Sequence, residues 1–281
     1  MHHAKLAAAA LALLLYLSLR RVPATTALAL GADTADAAGR KVIKGHVISQ
    51  NQARWTRTAA NLRDHGIAPV RVRPVPLTSA VIQLNSAFVE NPAWRGKHEK
   101  FLSLKLSHRK AVLAVAHDDD LAPGDWGLIF EDDVAFHASL SLQDFQSLLQ
   151  LGLNASADTG FAYLGLCEPR CSPPDGEVPS PLLQRCAGAC SHAYAVTKRR
   201  AMWFYDEVES VYVTARPNAR TNFNFLHWDQ QKPVYFEERA KGGVPLPFLI
   251  GAGLHQEGTD AHHLGAVFQD RAVFPTLNGV L

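Results

Sequence analysis

The chain carries almost no net charge: 28 basic and 26 acidic residues among 281 leave +2. No basic face for nucleic acid is announced, so no nucleic-acid partner is expected. A full-length membrane span is also missing near the N-terminus. The apolar run over residues 6–19 has fourteen residues, short of the roughly 20 that cross a bilayer as a helix. It matches the core of a signal peptide instead. His2, His3 and Lys5 precede it, Arg20 and Arg21 follow it, and Ala27-Leu28-Ala29 offers a small-x-small cleavage site. Residues 1–22 therefore read as a signal peptide or a short signal anchor, 23–41 as a linker or stalk of small residues, and 42–281 as one folded domain. Entry into the secretory pathway is expected, with the domain in the lumen of the endoplasmic reticulum or Golgi. It is anchored there through the N-terminal segment, or it is soluble or secreted after cleavage.

Cysteine is scarce, and its placement is informative. All four cysteines fall in one Pro-rich stretch, as Cys167-x3-Cys171 and Cys186-x3-Cys190. In a secretory chain an even number reads as two disulfides, with three connectivities open. A zinc site is the alternative. The sequon Asn154-Ala155-Ser156 marks Asn154 for glycosylation if its loop is lumenal.

The folded part begins with a strand over residues 42–49, and Trp55, Ala59 and Leu62 then recur at helical spacing before Gly66. A second strand over residues 67–75 completes a β-α-β opening, the start of a nucleotide-binding type of sheet. Residues 76–100 show no regular period and contain Asn91-Pro92, so a loop with a short helix is expected. Ser107 reads as the N-cap of a helix carrying Ala111, Val112 and Val115 and ending near His117. Its N-terminal N–H groups are candidates to hold an anion. Further on, Ser139 or Ser141 caps a helix with Leu142, Phe145, Leu148 and Leu149 on its apolar face. Strands are expected over 161–166, 192–196 and 245–250, and Thr197 caps a helix containing Met202, Tyr205 and Val208. The glycine-flanked residues 251–260 read as a loop lying close to a ligand.

The stretch that organises the chain is Gly127-Leu128-Ile129-Phe130-Glu131-Asp132-Asp133-Val134, an apolar strand ending in three acids. Open α/β sheets bind ligands at such strand ends. If the backbone stays extended, Glu131 and Asp133 face one way and Asp132 the other. Unit charges about 4 Å apart repel by roughly 4 kcal/mol at an effective dielectric of 20, so an enclosed triplet calls for a counter-ion. An exposed acidic turn calls for none. Asp118-Asp119-Asp120 lacks a preceding strand and reads as a solvated loop.

Three separated segments resemble glycosyltransferase family 25, the group of bacterial lipopolysaccharide galactosyltransferases and animal procollagen galactosyltransferases. They are His46-Val47-Ile48-Ser49 with Arg54 and Arg57; Leu106-Ser107-His108-Arg109-Lys110 followed by the Glu131-Asp132-Asp133 strand; and Gly188 to Val196, with a weaker patch over 247–260. Where many members have asparagine-leucine, this chain has Ser49-Gln50. The resemblance implies an α/β, GT-A-like single domain: a mixed, mostly parallel sheet flanked by helices, binding a nucleotide sugar at its strand ends. It implies Mn2+ or Mg2+ with Asp133 as first ligand, Glu131 on the cation or the ribose, and His255 as a later ligand. It places Ser49, Arg54, Ser107, His108, Glu131 and Asp132 around the UDP-sugar donor, and Asp229 as the base for the acceptor hydroxyl of a glycan or glycoprotein. A secreted carbohydrate-binding protein without turnover and a metal-dependent phosphate-ester hydrolase are the alternatives.

Expressed in a eukaryotic secretory host, the protein is expected to carry an N-glycan on Asn154 and to show no alkylatable thiol under native conditions. An unglycosylated product with four reactive cysteines would contradict a lumenal home.

Overall fold

The computed structural model describes residues 43–87, 89, 91–172, 180–190, 192–215, 228–255 and 263–269. The N-terminal apolar run, the stalk and residues 256–260 of the expected glycine-flanked loop lie outside the described residues. Among the described residues no helix is long and apolar enough to cross a membrane.

The opening unit forms as its sequence pattern predicts. Strand β1 (Ile43–Ile48) enters helix α1 (Gln52–Asp64), and β2 (Ile67–Val72) returns parallel to β1. The Asn51 side chain caps α1 by accepting from the backbone N–H groups of Ala53 and Arg54. Gly66, at φ 72°, ends the helix in a left-handed conformation that glycine adopts without steric cost.

The segment after β2 corrects the expected loop over residues 76–100. It holds helix α2 (Ala80–Ser86) and the first turns of α3 (Pro92–Ala116), a helix of 25 residues. Asn91-Pro92 acts as a start signal rather than a break. The Asn91 carbonyl accepts from the N–H groups of Trp94 and Arg95, and a proline in the first turn gives up only an N–H that has no helical partner. Ser107 therefore lies mid-helix and caps nothing. Its hydroxyl donates to the Ser103 carbonyl at 2.6 Å and accepts from the Val75 N–H at 2.9 Å, tying the chain beyond β2 to α3. Asp118 is likewise not a solvated loop residue, since both of its carboxylate oxygens accept from Lys44 Nζ at 2.9 Å.

Strand β3 (Trp126–Glu131) is followed at once by β4 (Val134–Phe136), which the sequence pattern did not announce. Then come α4 (Leu142–Ala155), β5 (Phe161–Tyr163), β6 (Gly165–Cys171), β7 (Leu183–Ala189) and β8 (Ala193–Thr197). Helices α5 (Lys198–Ala201), α6 (Phe204–Ala215) and α7 (Trp228–Lys241) precede the short strands β9 (Phe248–Ile250), β10 (His263–Gly265) and β11 (Val267–Gln269). Ser141 caps α4 and Thr197 caps α5. Leu142 and Met202 are exposed rather than buried, because one sits in the first turn of α4 and the other in the break between α5 and α6.

Among the described residues nine strands form one sheet in the order β10-β6-β7-β9-β5-β8-β3-β1-β2, and β4 and β11 form a separate ribbon. The fold is mixed α/β as expected, but the sheet is not mostly parallel. Parallel pairing joins β2, β1 and β3, and again β5 and β9; the other five neighbour pairs are antiparallel. Side chains alternate across β3: Leu128 and Phe130 pack into a core with Leu62 of α1 and Phe145 of α4. Ile129 packs on the other face with Val112 of α3, Phe204 of α6 and Trp228 of α7. This three-layer arrangement delivers the end of β3 between α1 and α3.

The cysteines pair as Cys167–Cys190 and Cys171–Cys186. The bridges are nested across the β6–β7 hairpin, which resolves the connectivity that spacing left open. Closing a 15-residue loop contributes about 3 kcal/mol in the chain-entropy account. Two such bridges fit an oxidising compartment.

His46 on β1 is 2% exposed, and neither ring nitrogen has a hydrogen-bond partner among the described residues. Burial lowers its pKa from 6.5 to about 4, with Asp118 opposing the shift and Lys44 adding to it. A depressed histidine holds its stability contribution above the unfolded value and loses it as pH falls from about 6.5 towards 4. The stability advantage of His46→Leu over the wild type is expected to grow by about 3 kcal/mol between pH 7 and pH 4. Denaturant unfolding of both proteins at each pH measures it, and a pH-independent difference would contradict this account of His46.

Candidate active site

The register of β1 against β3 sets Ile48 opposite Glu131, so Ser49 and the acids leave adjacent parallel strands together. Alternation persists through the first two acids. Glu131 follows Ile129 to the α3 face, and Asp132 follows Phe130 to the α1 face. The backbone turns at Asp132 and Asp133 before β4 begins.

Asp132 is held by the β1–α1 corner. Ser49, itself 1% exposed, donates its hydroxyl to Oδ2 at 2.7 Å, and Arg54 approaches Oδ1 at 3.4 Å. Thr58 donates to the Asp132 carbonyl at 2.8 Å. Burial raises the Asp132 carboxyl above its usual range, while Ser49 and Arg54 pull it back. Arg71 stitches the same corner from β2, reaching the carbonyls of Ser49 and Gln50.

Glu131 is held on the opposite face. Its Oε1 lies 3.2 Å from His108 Nε2, and its Oε2 accepts from Gln269 of β11 at 3.2 Å. With its proton on Nε2, His108 uses Nδ1 to accept from the Tyr194 hydroxyl at 3.1 Å. The imidazole is fully buried and stacks between Tyr194 and Trp228. Ser107, next to it, has both hydroxyl partners within the scaffold and serves to position α3.

Asp133 differs from both. It is 7% exposed, and its Oδ1 is buried with no hydrogen-bond partner among the described residues. Burial, then the charges of Glu131 and Asp132, raise its pKa to about 7. A buried carboxylate oxygen lacking a donor costs on the order of 1–3 kcal/mol or more. That deficit, beside two further carboxylates, fits a divalent cation such as Mn2+ or Mg2+. Asp133 would be the ligand, and the charges of Glu131 and Asp132 would add to the attraction for the cation.

Asp229 stands in the first turn of α7. The structure brings it to the Glu131 side: both carboxylates act on Lys232, His192 and Tyr194. Lys232 is fully buried between the rings of Tyr163 and Tyr194, at 5.4 and 5.9 Å, and donates to the Cys190 carbonyl at 2.6 Å. Burial lowers its pKa to about 8 against the pull of Asp229 and Glu131. Sequence reasoning passed over Lys232 and Tyr194. The available signal was a lysine one helical turn after Asp229.

His255 does not join this group. It is exposed, its backbone bridges Leu264, and its carbonyl accepts from His137 Nε2 at 3.0 Å. Among the described residues the only three ligand atoms within 4.8 Å of one another belong to Cys167, Cys190 and His192. Glu131, Asp133 and His255 therefore do not converge as a ready-made cage. A cavity of about 1130 Å³ opens instead at the opposite end of β1 and β2, lined by residues such as Ile43, Gly66, Gln146 and Asn154. Its lining holds no carboxylate, so the chemistry favours the β3 end.

The three acids are expected to respond unequally to loss of charge without metal. A carboxyl whose folded pKa is raised costs the fold stability as pH climbs from its unfolded value of 3.8 towards about 7, and at pH 8 that cost is complete, so Asp133→Asn should raise the melting temperature. Asp132→Asn and Glu131→Gln give up charge-assisted hydrogen bonds and should fall below Asp133→Asn by about 1–3 kcal/mol. Thermal unfolding of the three variants checks this, and equal shifts would contradict the assigned partners. No protein-family model matches the chain, and no curated protein matches it.

Proposed function

We propose that the chain is a metal-dependent glycosyltransferase that moves a sugar, galactose from UDP-galactose by its family resemblance, onto a hydroxyl of a glycan or of a hydroxylated protein side chain. The observation that carries this reading is the orphaned Asp133 carboxylate oxygen, set just past the end of β3 beside the exit of β1 and following two acids that have hydrogen-bond partners. The nine-stranded mixed sheet with helices on both faces is compatible with the GT-A arrangement, and the two disulfides suit a lumenal home.

In this reading the β1–α1 corner receives the nucleotide. Ser49 and Arg54 hold Asp132 rigid, and Arg54, with 30% of its side chain exposed, keeps surface to offer a phosphate. Glu131 is oriented by His108 and Gln269, so it can accept from a sugar or ribose hydroxyl without turning away. Asp133 would hold the cation, which would neutralise the charge that builds on the departing diphosphate. Asp229 takes the proton from the acceptor hydroxyl as that oxygen attacks the anomeric carbon. Lys232, fully buried, lies in the field of both Asp229 and Glu131 and offsets part of their negative charge.

UDP release measured over a panel of UDP-sugars, with and without manganese and acceptor, tests the proposal. One donor should release UDP only with manganese, faster with acceptor. Asp229→Asn should lower kcat by about a hundredfold or more while leaving manganese-dependent UDP binding intact. Glycan binding without UDP release from any donor would favour the non-catalytic reading, and hydrolysis of simple phosphate esters would favour the hydrolase.

A further inference from the structure

Behind the acids lies a second cluster that the proposed transfer does not use. Cys167 on β6, Cys190 at the end of β7 and His192 before β8 present ligand atoms all within 4.8 Å of one another. A fourth donor stands beside them. His263 of β10 pairs in register with Cys167, and its Nδ1 lies 3.5 Å from the Cys167 sulfur. All but Cys190 are nearly closed to solvent, at 7% exposure for Cys167, 1% for His192 and 8% for His263.

The state of His192 points to a ligand. Its Nε2 donates to the Val267 carbonyl at 3.3 Å, which fixes the tautomer. Its Nδ1 is then a bare lone pair, buried and without a hydrogen-bond partner among the described residues. Metal-binding histidines are held in this way, the far nitrogen donating to a carbonyl. Gly165 keeps the arrangement open, because a Cβ there would collide with both the Val267 carbonyl and His192 Nε2. In a tetrahedral zinc site with sulfur at about 2.3 Å and nitrogen at about 2.0 Å, neighbouring ligand atoms sit roughly 3.5 Å apart. Cys167 and His263 already have that spacing.

We propose that these residues form a Cys2His2 zinc site when the Cys167–Cys190 disulfide is reduced. A dithiol reductant supplies two electrons and two protons, opening the S–S bond to two thiols while the dithiol becomes a disulfide. Zinc binding then expels those two protons, leaving two thiolates on the metal. His192 binds through Nδ1, and His263 binds through Nδ1 with its proton on Nε2. The exchange of disulfide for zinc reaches the candidate active site through the backbone. The His192 carbonyl accepts the Glu131 N–H at 2.9 Å, and the Cys190 carbonyl holds Lys232.

The double variant Cys171→Ser/Cys186→Ser removes the other pair of thiols. Reduced with a phosphine, desalted without oxygen and titrated with zinc against a chromophoric chelator, it should take up one zinc per chain; left oxidised, it should take up none. Cobalt in place of zinc should give the absorption of a tetrahedral site with two thiolates. Adding His192→Asn or His263→Asn should weaken binding by at least about a hundredfold, the upper range for losing even an outer-shell partner. Equal uptake by oxidised and reduced protein, uptake unaffected by both histidine changes, or no uptake by a reduced protein that keeps its native circular dichroism would overturn the proposal. If the double variant does not fold, the reduced wild type and its histidine variants are titrated with cobalt. A two-thiolate spectrum that depends on His192 supports the site, and a four-thiolate spectrum defeats it.

Discussion

Three consecutive carboxylates must be accommodated where β3 leaves the sheet, and much of the surrounding structure answers that constraint. Burying ionised acids side by side is unfavourable unless each finds donors or a counter-charge. The α1 face supplies them for Asp132 through Ser49 and Arg54. The α3 face supplies them for Glu131 through His108, with Gln269 closing over it from the last ribbon. Asp133 Oδ1 receives no donor among the described residues, and only the field of Arg54 and a backbone hydrogen bond at Asp133 itself offset the charge of the carboxyl. The asymmetry follows from the pleat: alternating side chains reach helices on both faces, and the third acid comes after the turn.

The layers behind the acids extend the same logic. His108 is set by the stack of Tyr194 and Trp228, and Trp228 begins the helix that carries Asp229 and Lys232. Lys232 in turn reaches back to the disulfide hairpin at Cys190. Acids, buried cation and cysteine hairpin thus form one polar seam through an otherwise aromatic core. In such low-dielectric surroundings each charge is felt by the others more strongly than at the surface.

Much of this was legible in the sequence where local chemistry decides the outcome. The β1–α1–β2 opening, the end of α3 near His117, the Ser141 and Thr197 caps and the acid-bearing strand all follow from periodicity and capping. The alternation that separates Glu131 from Asp132 follows from the pleat. What was not legible depends on contacts distant in sequence. Asn91-Pro92 reads equally as a turn or as a helix start, and packing of α3 across the sheet decided for the helix. Strands β4, β10 and β11 have three residues each, too short to show a period and defined only by their partners. Gln269 and Lys232 lie 138 and 42 residues from the groups they bond, and no local pattern marks either.

The central claim is that Asp133 Oδ1, the one carboxylate oxygen of the triplet buried without a hydrogen-bond partner among the described residues, supplies the cation ligand. Calorimetric titration of manganese, in the presence of UDP, into the wild type and into Glu131→Gln, Asp132→Asn and Asp133→Asn tests it most directly. The account requires Asp133→Asn to abolish measurable binding while the other two variants lose about tenfold or less, one lost charge being partly offset by the remaining ligands. Manganese binding by Asp133→Asn equal to that of the wild type would contradict it.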